Sequence, residues 1–400
     1  MSQPWLHIIG IGEDGLDGLN PAARTALDRA EIMIGGNRHL AMIPPDSRPR
    51  LPWPSPFSAL IPTIADFKPK YVAVLATGDP MWFGVGATLA KHFPLDELSI
   101  HPTLSAFNLA AARIGWPLAE CETITLHGRP FPQLQSAIQP AARLLVLTHD
   151  GDTPAKVATT LCQRGYSESR LTVLEHMSGP DEARSDGTAA TWGDRKVEPF
   201  HTLAVECIAD PDATLLPLTP GLPDEAFEHD GQITKREVRA ATLAALAPTP
   251  GALLWDVGAG SGSIGIEWMR AAPRTRALAI ERDQARIKMI TANAATLGVP
   301  TLQIIAGQAP GILADLPAPD AVFIGGGLTA QIVEPCWNAL KLGGRLVANA
   351  VTLEGENVLF EAQKALGGFL TRIAVSRAEP VGPFLGWRPL MPVTQWSVRK

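Results

Sequence analysis

Glycines and acidic residues follow two apolar strands in the second half of the chain. The run LLWDVGAGSGSIGIEW places Gly258, Gly260 and Gly262 between a strand that ends at Asp256 and the start of a helix. Glycine lets the backbone turn tightly, and it lets a ligand approach the main chain where side chains would obstruct it. Glu281 ends the next predicted strand, where a carboxylate can accept hydrogen bonds from ribose hydroxyls. The spacing therefore predicts a site for a nucleoside-containing cofactor.

The glycine spacing alone also describes dinucleotide-binding sites, or a turn with no ligand. Three features favour S-adenosylmethionine: Asp256 lies two positions before the first glycine, a helix precedes the strand, and no residues for hydride chemistry follow. The segment resembles motif I of class I methyltransferases. After the next strand we expect Gly307, Gln308 and Ala309 near the adenine. A further strand ends in Gly325–Gly327, which we interpret as a surface for a flat, bulky substrate; a flexible loop is the alternative.

Two further glycine segments lie in the first half. The run IIGIGEDGLDGLNPAAR joins a strand to a loop with Gly10 and Gly12, and then to a helix capped by Asn20 with Pro21 in its first position. By itself this segment is as compatible with a structural turn as with a binding loop. The run YVAVLATGDPMWFGVG is a buried strand that leads into the turn Gly78–Pro80 and a second helix.

The elements around these segments predict an α/β protein with two domains. In the first half, strands alternate with helices, which predicts a mainly parallel sheet; these strands are 5–9, 71–76, 143–147, 171–174 and 202–207. Prolines and acidic residues interrupt Ile208–His229 and mark a domain boundary. Thr234 is expected to cap a new helix, with Glu237 completing a capping box. Alternating strands and helices up to Ala350 then predict a doubly wound sheet.

Composition narrows the class of protein. The 400 residues carry a net charge of −6, which argues against a nucleic-acid-binding protein. No apolar run approaches the roughly 18 residues that a membrane span needs, and the amino terminus has no signal-peptide pattern. We therefore expect a soluble, cytoplasmic protein that binds neither nucleic acid nor membrane. The four cysteines are widely scattered, which favours buried thiols over a disulfide framework or a metal site: Cys121, Cys162, Cys207 and Cys336.

Four segments of the second half resemble the decarboxylating precorrin-6Y methyltransferase domain of the cobalamin pathway. They are GQITKREVRA, DVGAGSGSIGIEW, AIERDQARI and DAVFIGGG, and the resemblance spans about Glu228 to the carboxyl terminus. It implies a class I, Rossmann-like methyltransferase fold. It also implies S-adenosylmethionine contacts from Thr234, Gly258, Ala259, Gly260, Ser261, Gly262, Glu281, Gly307, Gln308 and Ala309.

The first half is similar to the class III tetrapyrrole methylases, in particular the precorrin C-5 branch, over about Trp5 to Ala209. The segments GDPMWFG, HPTLSAFNLAAARIGWP, LHGR, LVLTHDGDTPAKVATTL and LTVLEHMSGPDEA occur in the expected order. The resemblance implies two α/β subdomains, with the second starting near Gly151. Many relatives have paired serines where this chain has Leu104 and Ser105. The implied cofactor contacts are Gly10, Gly12, Gly78, Asp79, Pro80, Ser105 and Thr148.

Together the two resemblances imply methylation of precorrin-6Y at C-5 and C-15, with decarboxylation of the C-12 acetate, to give precorrin-8. Residues 1–209 would perform C-5 methylation, 210–227 would be a linker, and 228–400 would perform C-15 methylation and decarboxylation. Each domain would bind one S-adenosylmethionine without a metal, and catalysis would rest on positioning, with no side-chain base identified. Candidates for binding substrate carboxylates are His127, Arg129, Lys235, Arg236 and Arg239; surface ion pairs or a solvated helix face are the alternatives.

Other classes of function are less compatible with the sequence. A nicotinamide-dependent reductase would need a donor such as Tyr-x-x-x-Lys, but neither Tyr71 nor Tyr166 has a lysine four positions later. A methyltransferase acting on RNA or protein would carry a basic stripe, and a non-catalytic corrinoid carrier would not need two glycine-loop sites. We expect a homo-oligomer, and contact with neighbouring enzymes of the cobalamin pathway.

Overall fold

The inner strands of the first sheet form from short apolar runs that are buried on both faces. The computed structural model describes residues 4–400, which fold as two compact units. The first unit starts with a five-stranded parallel sheet of order β3-β2-β4-β1-β5. Its elements are β1 (Leu6–Ile11), α1 (Pro21–Arg29), β2 (Ile32–Gly35), α2 (Asn37–Ala41), β3 (Arg50–Pro52), α3 (Ile61–Ala65), β4 (Val72–Thr77), α4 (Val85–Leu89) and β5 (Leu98–His101). Asn20 accepts a hydrogen bond from Ala23 N, so the predicted cap of α1 is confirmed.

A second sheet follows in the order β6-β7-β10-β8-β9. The elements of this stretch are α5 (Ala106–Ile114), β6 (Glu122–Thr125), α6 (Leu134–Ala137), β7 (Arg143–Leu147), α7 (Thr153–Gln163), β8 (Arg170–Glu175), β9 (Ala183–Thr188), α8 (Ala189–Trp192) and β10 (His201–Glu206). Within the described part of the chain, β6–β7 is the only parallel pair of this sheet. The prediction of a mainly parallel sheet is therefore wrong here, because alternation of strands and helices does not fix strand direction. The second sheet also begins at Glu122, earlier than the expected start near Gly151.

The second unit contains the doubly wound sheet that the sequence predicts. Its seven strands have the order β13-β12-β11-β14-β15-β19-β16, and they are parallel from β13 to β15. The elements are α9 (Arg236–Leu246), β11 (Leu253–Val257), α10 (Ser263–Ala271), β12 (Arg276–Glu281), α11 (Gln284–Thr296), β13 (Gln303–Ala306), β14 (Ala321–Ile324), α12 (Ala330–Ala339), β15 (Arg345–Ala350), α13 (Leu353–Leu366), β16 (Phe369–Ile373), β17 (Ser376–Val381), β18 (Phe384–Pro389) and β19 (Val393–Arg399). Two buried apolar clusters fill the layers on either side of the sheet.

Everything after Ala350 is an addition that the sequence patterns do not predict. Strand β19 pairs antiparallel with both β15 and β16, which turns a parallel sheet into a mixed one at this edge. Strands β17 and β18 form a separate two-stranded hairpin. Among residues 4–400, no helix is both long enough and apolar enough to cross a membrane.

The start of α9 differs from its prediction. The helix begins at Arg236 with Lys235 as its N-cap residue, and among the described residues no side chain caps it. The predicted capping box of Thr234 and Glu237 is therefore wrong. Glu237 instead forms an ion pair with Arg377 of β17 at 2.9 Å. The carboxylate that was predicted to cap the helix therefore contacts a residue that is distant in sequence.

The predicted linker at 210–227 is largely built into the second unit. The compact units divide between Thr214 and Leu215, and Pro130–Gln139 also belongs to the second unit. Residues 215–227 contain neither an α-helix nor a β-strand, yet three apolar side chains of this segment are buried in the core of the second unit: Leu216, Leu222 and Phe227. The segment is thus a packed part of the fold.

Candidate functional site

A cavity of about 860 Å³ lies at the carboxyl ends of β11 and β14 in the second unit. Open α/β sheets place ligands at this edge because loops and helix starts converge there. Five of the predicted cofactor residues line the cavity: Thr234, Gly258, Ala259, Gly260 and Ser261. Apolar side chains from the carboxyl-terminal additions, including Ile373, Val375 and Leu390, form another part of the wall. The volume and the lining are those of a small-molecule site.

The structure gives a different reason for glycine at each of three positions in the loop after β11. Gly258 has φ +70°, and a Cβ there would lie 2.5 Å from Gly326 O, so the two loops pack backbone against backbone. Gly260 has φ +60°, but a Cβ there would meet nothing closer than Gln232 O at 3.8 Å. Gly262 has φ +77° and is the N-cap residue of α10. Gly258 is therefore required by the protein itself, whereas the space over Gly260 is open to a ligand.

Glu281 holds the glycine loop against the end of β12. Its Oε2 accepts a hydrogen bond from Gly260 N at 2.9 Å. Its Oε1 accepts hydrogen bonds from Arg282 N at 2.9 Å and from Asp283 N at 3.0 Å. The carboxylate is buried and already has three backbone donors. The contact with a ribose hydroxyl stays a prediction.

Asp256 is a buried acid, and the sequence analysis did not predict that its pKa is raised. Its Oδ2 accepts a hydrogen bond from Gly265 N at 2.9 Å, and its Oδ1 has no hydrogen-bond partner within residues 4–400. Burial raises the pKa of Asp256 to about 7; the Gly265 N–H opposes this shift, and the charge of Glu281 adds to it. The signal available in the sequence was an acidic residue at the end of an otherwise apolar strand.

The residues expected beside the adenine lie one strand further along the sheet. Gly307 N donates a hydrogen bond to Glu281 O at 3.0 Å, which places Gly307 beside the end of β12. Ala309 is buried and Gln308 is exposed. These residues, with Gly262 and Glu281, do not line the cavity itself. Their roles toward a cofactor stay predictions.

The basic residues proposed for substrate carboxylates fall into different environments. Lys235 lines the cavity, and Arg236 is exposed on α9. Arg239 is fully buried, with Nε 2.7 Å from Glu267 Oε1 and Nη1 3.2 Å from Asp224 Oδ1. Its Nη1 also donates to Thr234 O at 2.6 Å. The prediction that Arg239 binds a substrate carboxylate is therefore wrong, because two protein carboxylates already compensate its charge.

In the first unit, the predicted cofactor loops contact one another at the ends of β1 and β4. A Cβ on Gly10 would overlap Gly78 O, so these two loops meet through their backbones. Gly78 has φ +57°, and a Cβ there would lie 3.0 Å from Leu104 O. Asp79 Oδ1 accepts a hydrogen bond from Met81 N at 2.8 Å. Three segments that are distant in sequence thus form one rim at the carboxyl edge of the sheet.

The hydroxyl groups predicted to contact the cofactor in this unit also have internal partners. Ser105 caps α5, and its Oγ accepts a hydrogen bond from Asn108 N at 3.2 Å. Thr148 is buried, and its Oγ1 donates to His201 O at 3.2 Å. His127 and Arg129 are both exposed, with the His127 ring 6.0 Å from that of His149. Cofactor and substrate contacts of these residues stay predictions.

The sequence interpretation also missed a charged cluster at this edge. Glu13 follows β1 and forms an ion pair with Arg38, whose Nη2 lies 3.0 Å from Thr77 Oγ1. The other oxygen of Glu13 lies 3.0 Å from His176 Nδ1. Burial, with the charge of Arg38, lowers the pKa of His39 in the same cluster to about 4. Nothing in the local sequence links Glu13 to His176, because they are far apart along the chain.

Comparisons with known proteins agree with this architecture. The family model described as tetrapyrrole (corrin/porphyrin) methylases matches residues 5–192, and the precorrin methyltransferase domain model matches residues 225–400. A Sinorhizobium protein named precorrin-6Y C(5,15)-methyltransferase [decarboxylating] is 47% identical over 402 residues, covering 99% of this chain and 97% of its own. A Mycobacterium tuberculosis protein of the same name is 42% identical, covering 98% and 99%.

A solved structure also resembles part of the chain. The carboxyl-terminal domain of precorrin-6Y C5,15-methyltransferase from Rhodobacter capsulatus is 48% identical, with a TM-score of 0.44, and covers 46% of this chain and all of its own. The full-length relatives carry the assignment, since their similarity extends over both compact units. The chain belongs to the family of decarboxylating precorrin-6Y C(5,15)-methyltransferases.

Proposed function

We propose that this protein transfers two methyl groups from S-adenosylmethionine to precorrin-6Y, at C-5 and C-15, and removes carbon dioxide from the C-12 acetate to give precorrin-8. The observation that carries the proposal is the identity of 47% to a named relative across almost the whole of both chains. The glycine loop with open space above Gly260, at the wall of a cavity of about 860 Å³, supports a cofactor site in the second unit.

We assign C-5 methylation to residues 1–209, and C-15 methylation with decarboxylation to residues 228–400. The match of the tetrapyrrole methylase model to residues 5–192 supports the first assignment. The match of the precorrin methyltransferase model to residues 225–400 supports the second. The product that accumulates in a variant identifies which domain carries out which reaction, because inactivating one domain leaves the reaction of the other domain intact.

Each unit has backbone features that fit one S-adenosylmethionine. In the second unit, Thr234, Gly258, Gly260 and Ser261 would hold the cofactor at the cavity wall. In the first unit, the rim of Gly10, Gly12, Gly78, Asp79, Pro80 and Ser105 would hold the other, with Thr148. Bound S-adenosylmethionine supplies an electrophilic methyl group. Titration calorimetry of the full chain with S-adenosylhomocysteine should give two sites per chain, and a single site would contradict this count.

The protein contributes to methyl transfer mainly by placing the acceptor carbon. The meso carbons of a precorrin are conjugated with ring nitrogens and are already electron-rich. Alignment at near-attack geometry can contribute about 7–11 kcal/mol without a side-chain base. Apolar residues such as Ile373 and Leu390 line the cavity in the second unit and would shield a bound substrate from water, and Lys235 would pair there with a substrate carboxylate. We propose that neither unit needs a metal for this chemistry.

The proposed function is tested directly by measuring the mass of the product. The full chain is incubated with S-adenosylmethionine and precorrin-6Y, and the product is followed by mass spectrometry. We expect a gain of two methyl groups and the loss of one carbon dioxide. Absence of any methylated product, with the protein folded and both cofactor sites intact, would contradict the proposal.

We also propose that the protein is a homo-oligomer that uses the β17–β18 hairpin. Phe384, Leu385 and Trp387 on this hairpin are 76%, 74% and 78% exposed. Two-stranded hairpins are marginally stable in water, and large apolar patches mark interfaces. Light scattering should show that Trp387→Ser lowers the oligomeric mass, whereas Leu342→Ser, at an exposed leucine outside the hairpin, leaves it unchanged. An unchanged mass for Trp387→Ser would contradict the hairpin interface.

A further inference from the structure

The turn after β4 pushes three large apolar residues outward. A Cβ on Gly84 would lie 2.6 Å from Pro80 O, and one on Gly86 would lie 2.8 Å from the same oxygen. The chain therefore folds back tightly onto Pro80, and the three residues between form a short projecting loop. Asp79 fixes the base of this loop, because its Oδ1 accepts a hydrogen bond from Met81 N at 2.8 Å.

The side chains on this loop are exposed although they are apolar. Met81, Trp82 and Phe83 are 45%, 38% and 51% exposed. Leu104 is 60% exposed, and its backbone contacts the Gly78 position of the same rim. We call Met81, Trp82, Phe83 and Leu104 the apolar shelf. Exposed aromatic residues in a cluster indicate a binding surface more often than isolated ones do.

The shelf has a rigid support beneath it. The rings of Trp82 and Phe83 lie 5.7 Å and 6.0 Å from the ring of Phe107, which is buried on α5. Helix α5 is itself capped by Ser105, beside Leu104. The exposed rings are therefore held in place from below, which keeps their outer faces available to a ligand.

Phe83 adopts a backbone conformation that its side chain disfavours. Its φ is +58°, in the left-handed region that bulky residues rarely occupy. Glycine would satisfy this turn without strain, yet the chain has a large aromatic residue that is half exposed. Unfavourable backbone conformations of this kind concentrate at ligand sites, where the strained residue has a task in binding.

We propose that the apolar shelf binds one face of the tetrapyrrole macrocycle during C-5 methylation. This inference rests on the proposed function. The shelf is continuous with the rim of Gly10, Gly78 and Ser105, which we propose holds the methyl donor. The acceptor carbon must come within about 3–3.5 Å of the methyl group, so the macrocycle has to cover this rim. A broad, conjugated ring matches aromatic side chains, while its peripheral carboxylates stay in water.

The test uses the full chain with precorrin-6Y and three variants: Trp82→Ala, Phe83→Gly and Leu104→Ala. We expect each to raise the KM for C-5 methylation about tenfold, the equivalent of one lost aromatic or aliphatic contact. The product that accumulates should carry one added methyl and lack the acetate carboxyl. Titration with S-adenosylhomocysteine should still show both sites, with affinities within about twofold of the wild type.

Phe83→Gly provides a readout that a purely structural role would not give. Glycine relieves the backbone strain of the positive φ at this half-exposed position. The melting temperature of the Phe83→Gly variant should therefore equal or exceed that of the wild type, while its KM for C-5 methylation rises. The matched control is Ala141→Gly, at an exposed position with φ +61° in the same unit, which should leave C-5 methylation unchanged.

The possible failures are distinguishable. A wild-type protein that methylates nothing contradicts the proposed function itself. A wild-type protein that forms the full product, with shelf variants that match its C-5 kinetics, overturns the shelf alone. Shelf variants that change the oligomeric mass in light scattering and keep wild-type C-5 kinetics would identify a second copy of the chain as the occupant, and would also overturn the proposal.

Discussion

Arg239 and Glu267 form a buried ion pair in which Nε lies 2.7 Å from Oε1. Glu267 also accepts hydrogen bonds from Gly221 N at 2.7 Å and from Leu222 N at 3.0 Å. Arg239 in turn binds the Thr234 carbonyl oxygen at the cavity. The pair therefore ties the proline-rich segment and the start of α9 to helix α10.

Removing the arginine should destabilise the second unit strongly. Arg239→Met leaves Glu267 and Asp224 buried without their cation, and we expect the free energy of unfolding to fall by about 3–5 kcal/mol. Urea denaturation followed by circular dichroism measures this change. The exposed Arg236→Met is the control and should change stability by less than about 0.5 kcal/mol. Similar losses for both variants would contradict the structural role of Arg239.

The glycine loop allows cofactor binding to be separated from folding. Gly260→Ala meets no protein atom closer than 3.8 Å, so it should keep the fold and weaken S-adenosylhomocysteine binding at one of two sites. Gly260→Val should have the larger effect, with loss of C-15 methylation and decarboxylation but C-5 methylation intact.

Two other glycines serve as comparisons for Gly260. Gly251 has φ +79° and open space around it, so Gly251→Ala carries the same backbone strain without touching the cavity and should bind normally. Gly258→Ala should instead destabilise the unit, since its Cβ would lie 2.5 Å from Gly326 O. Unchanged affinity in Gly260→Val, measured by calorimetry, would show that the loop does not hold the cofactor.

Asp79 provides the corresponding test in the first unit. Asp79→Ala removes the acceptor of the Met81 N–H and should weaken S-adenosylhomocysteine binding at the other site. The enzyme should then release a product with one added methyl and without the acetate carboxyl. Asp79→Asn keeps an acceptor oxygen and should retain more affinity. A one-methyl product that still carries the carboxyl would show that decarboxylation belongs to the first unit.

Asp256 should make stability depend on pH in an unusual direction. Its pKa is about 7 in the folded protein, against an ordinary value of 3.8. Between these values the unfolded chain has lost the proton that the folded protein keeps, so this residue lowers stability as the pH rises from about 4 to 7. Above about pH 7 both states are ionised and the effect is constant.

Replacing the acid with its neutral isostere should remove this dependence. Urea denaturation at several pH values from 5 to 8 should show Asp256→Asn gaining stability relative to the wild type as the pH rises. Asp315→Asn, at an exposed acid in the same unit, is the control and should run parallel to the wild type. A constant difference between Asp256→Asn and the wild type across this range would contradict the raised pKa.

The parallel core of the second unit was predictable because its strands are buried apolar runs that alternate with helices. The loop at Gly258–Gly262 followed from the same pattern. Strand direction in the second sheet of the first unit was not predictable, since β8 and β10 have the composition of parallel strands but pair antiparallel. The buried ion pairs of Arg239 were not predictable either. A basic residue on a helix is usually solvated, and only folding brings Asp224 and Glu267 next to it.

The segment Pro130–Gln139 has a consequence for dissecting the chain. It belongs to the compact unit formed mainly by residues 215–400, and Gly298 packs so closely against Ser136 that a Cβ would overlap its backbone. A truncation that starts at Leu215 lacks part of its own unit, and one that stops at Thr214 retains a strip whose partner surface is gone. A single cut between Thr214 and Leu215 therefore does not separate the two compact units cleanly, and a fragment of the second unit would have to fold without the contacts of Pro130–Gln139.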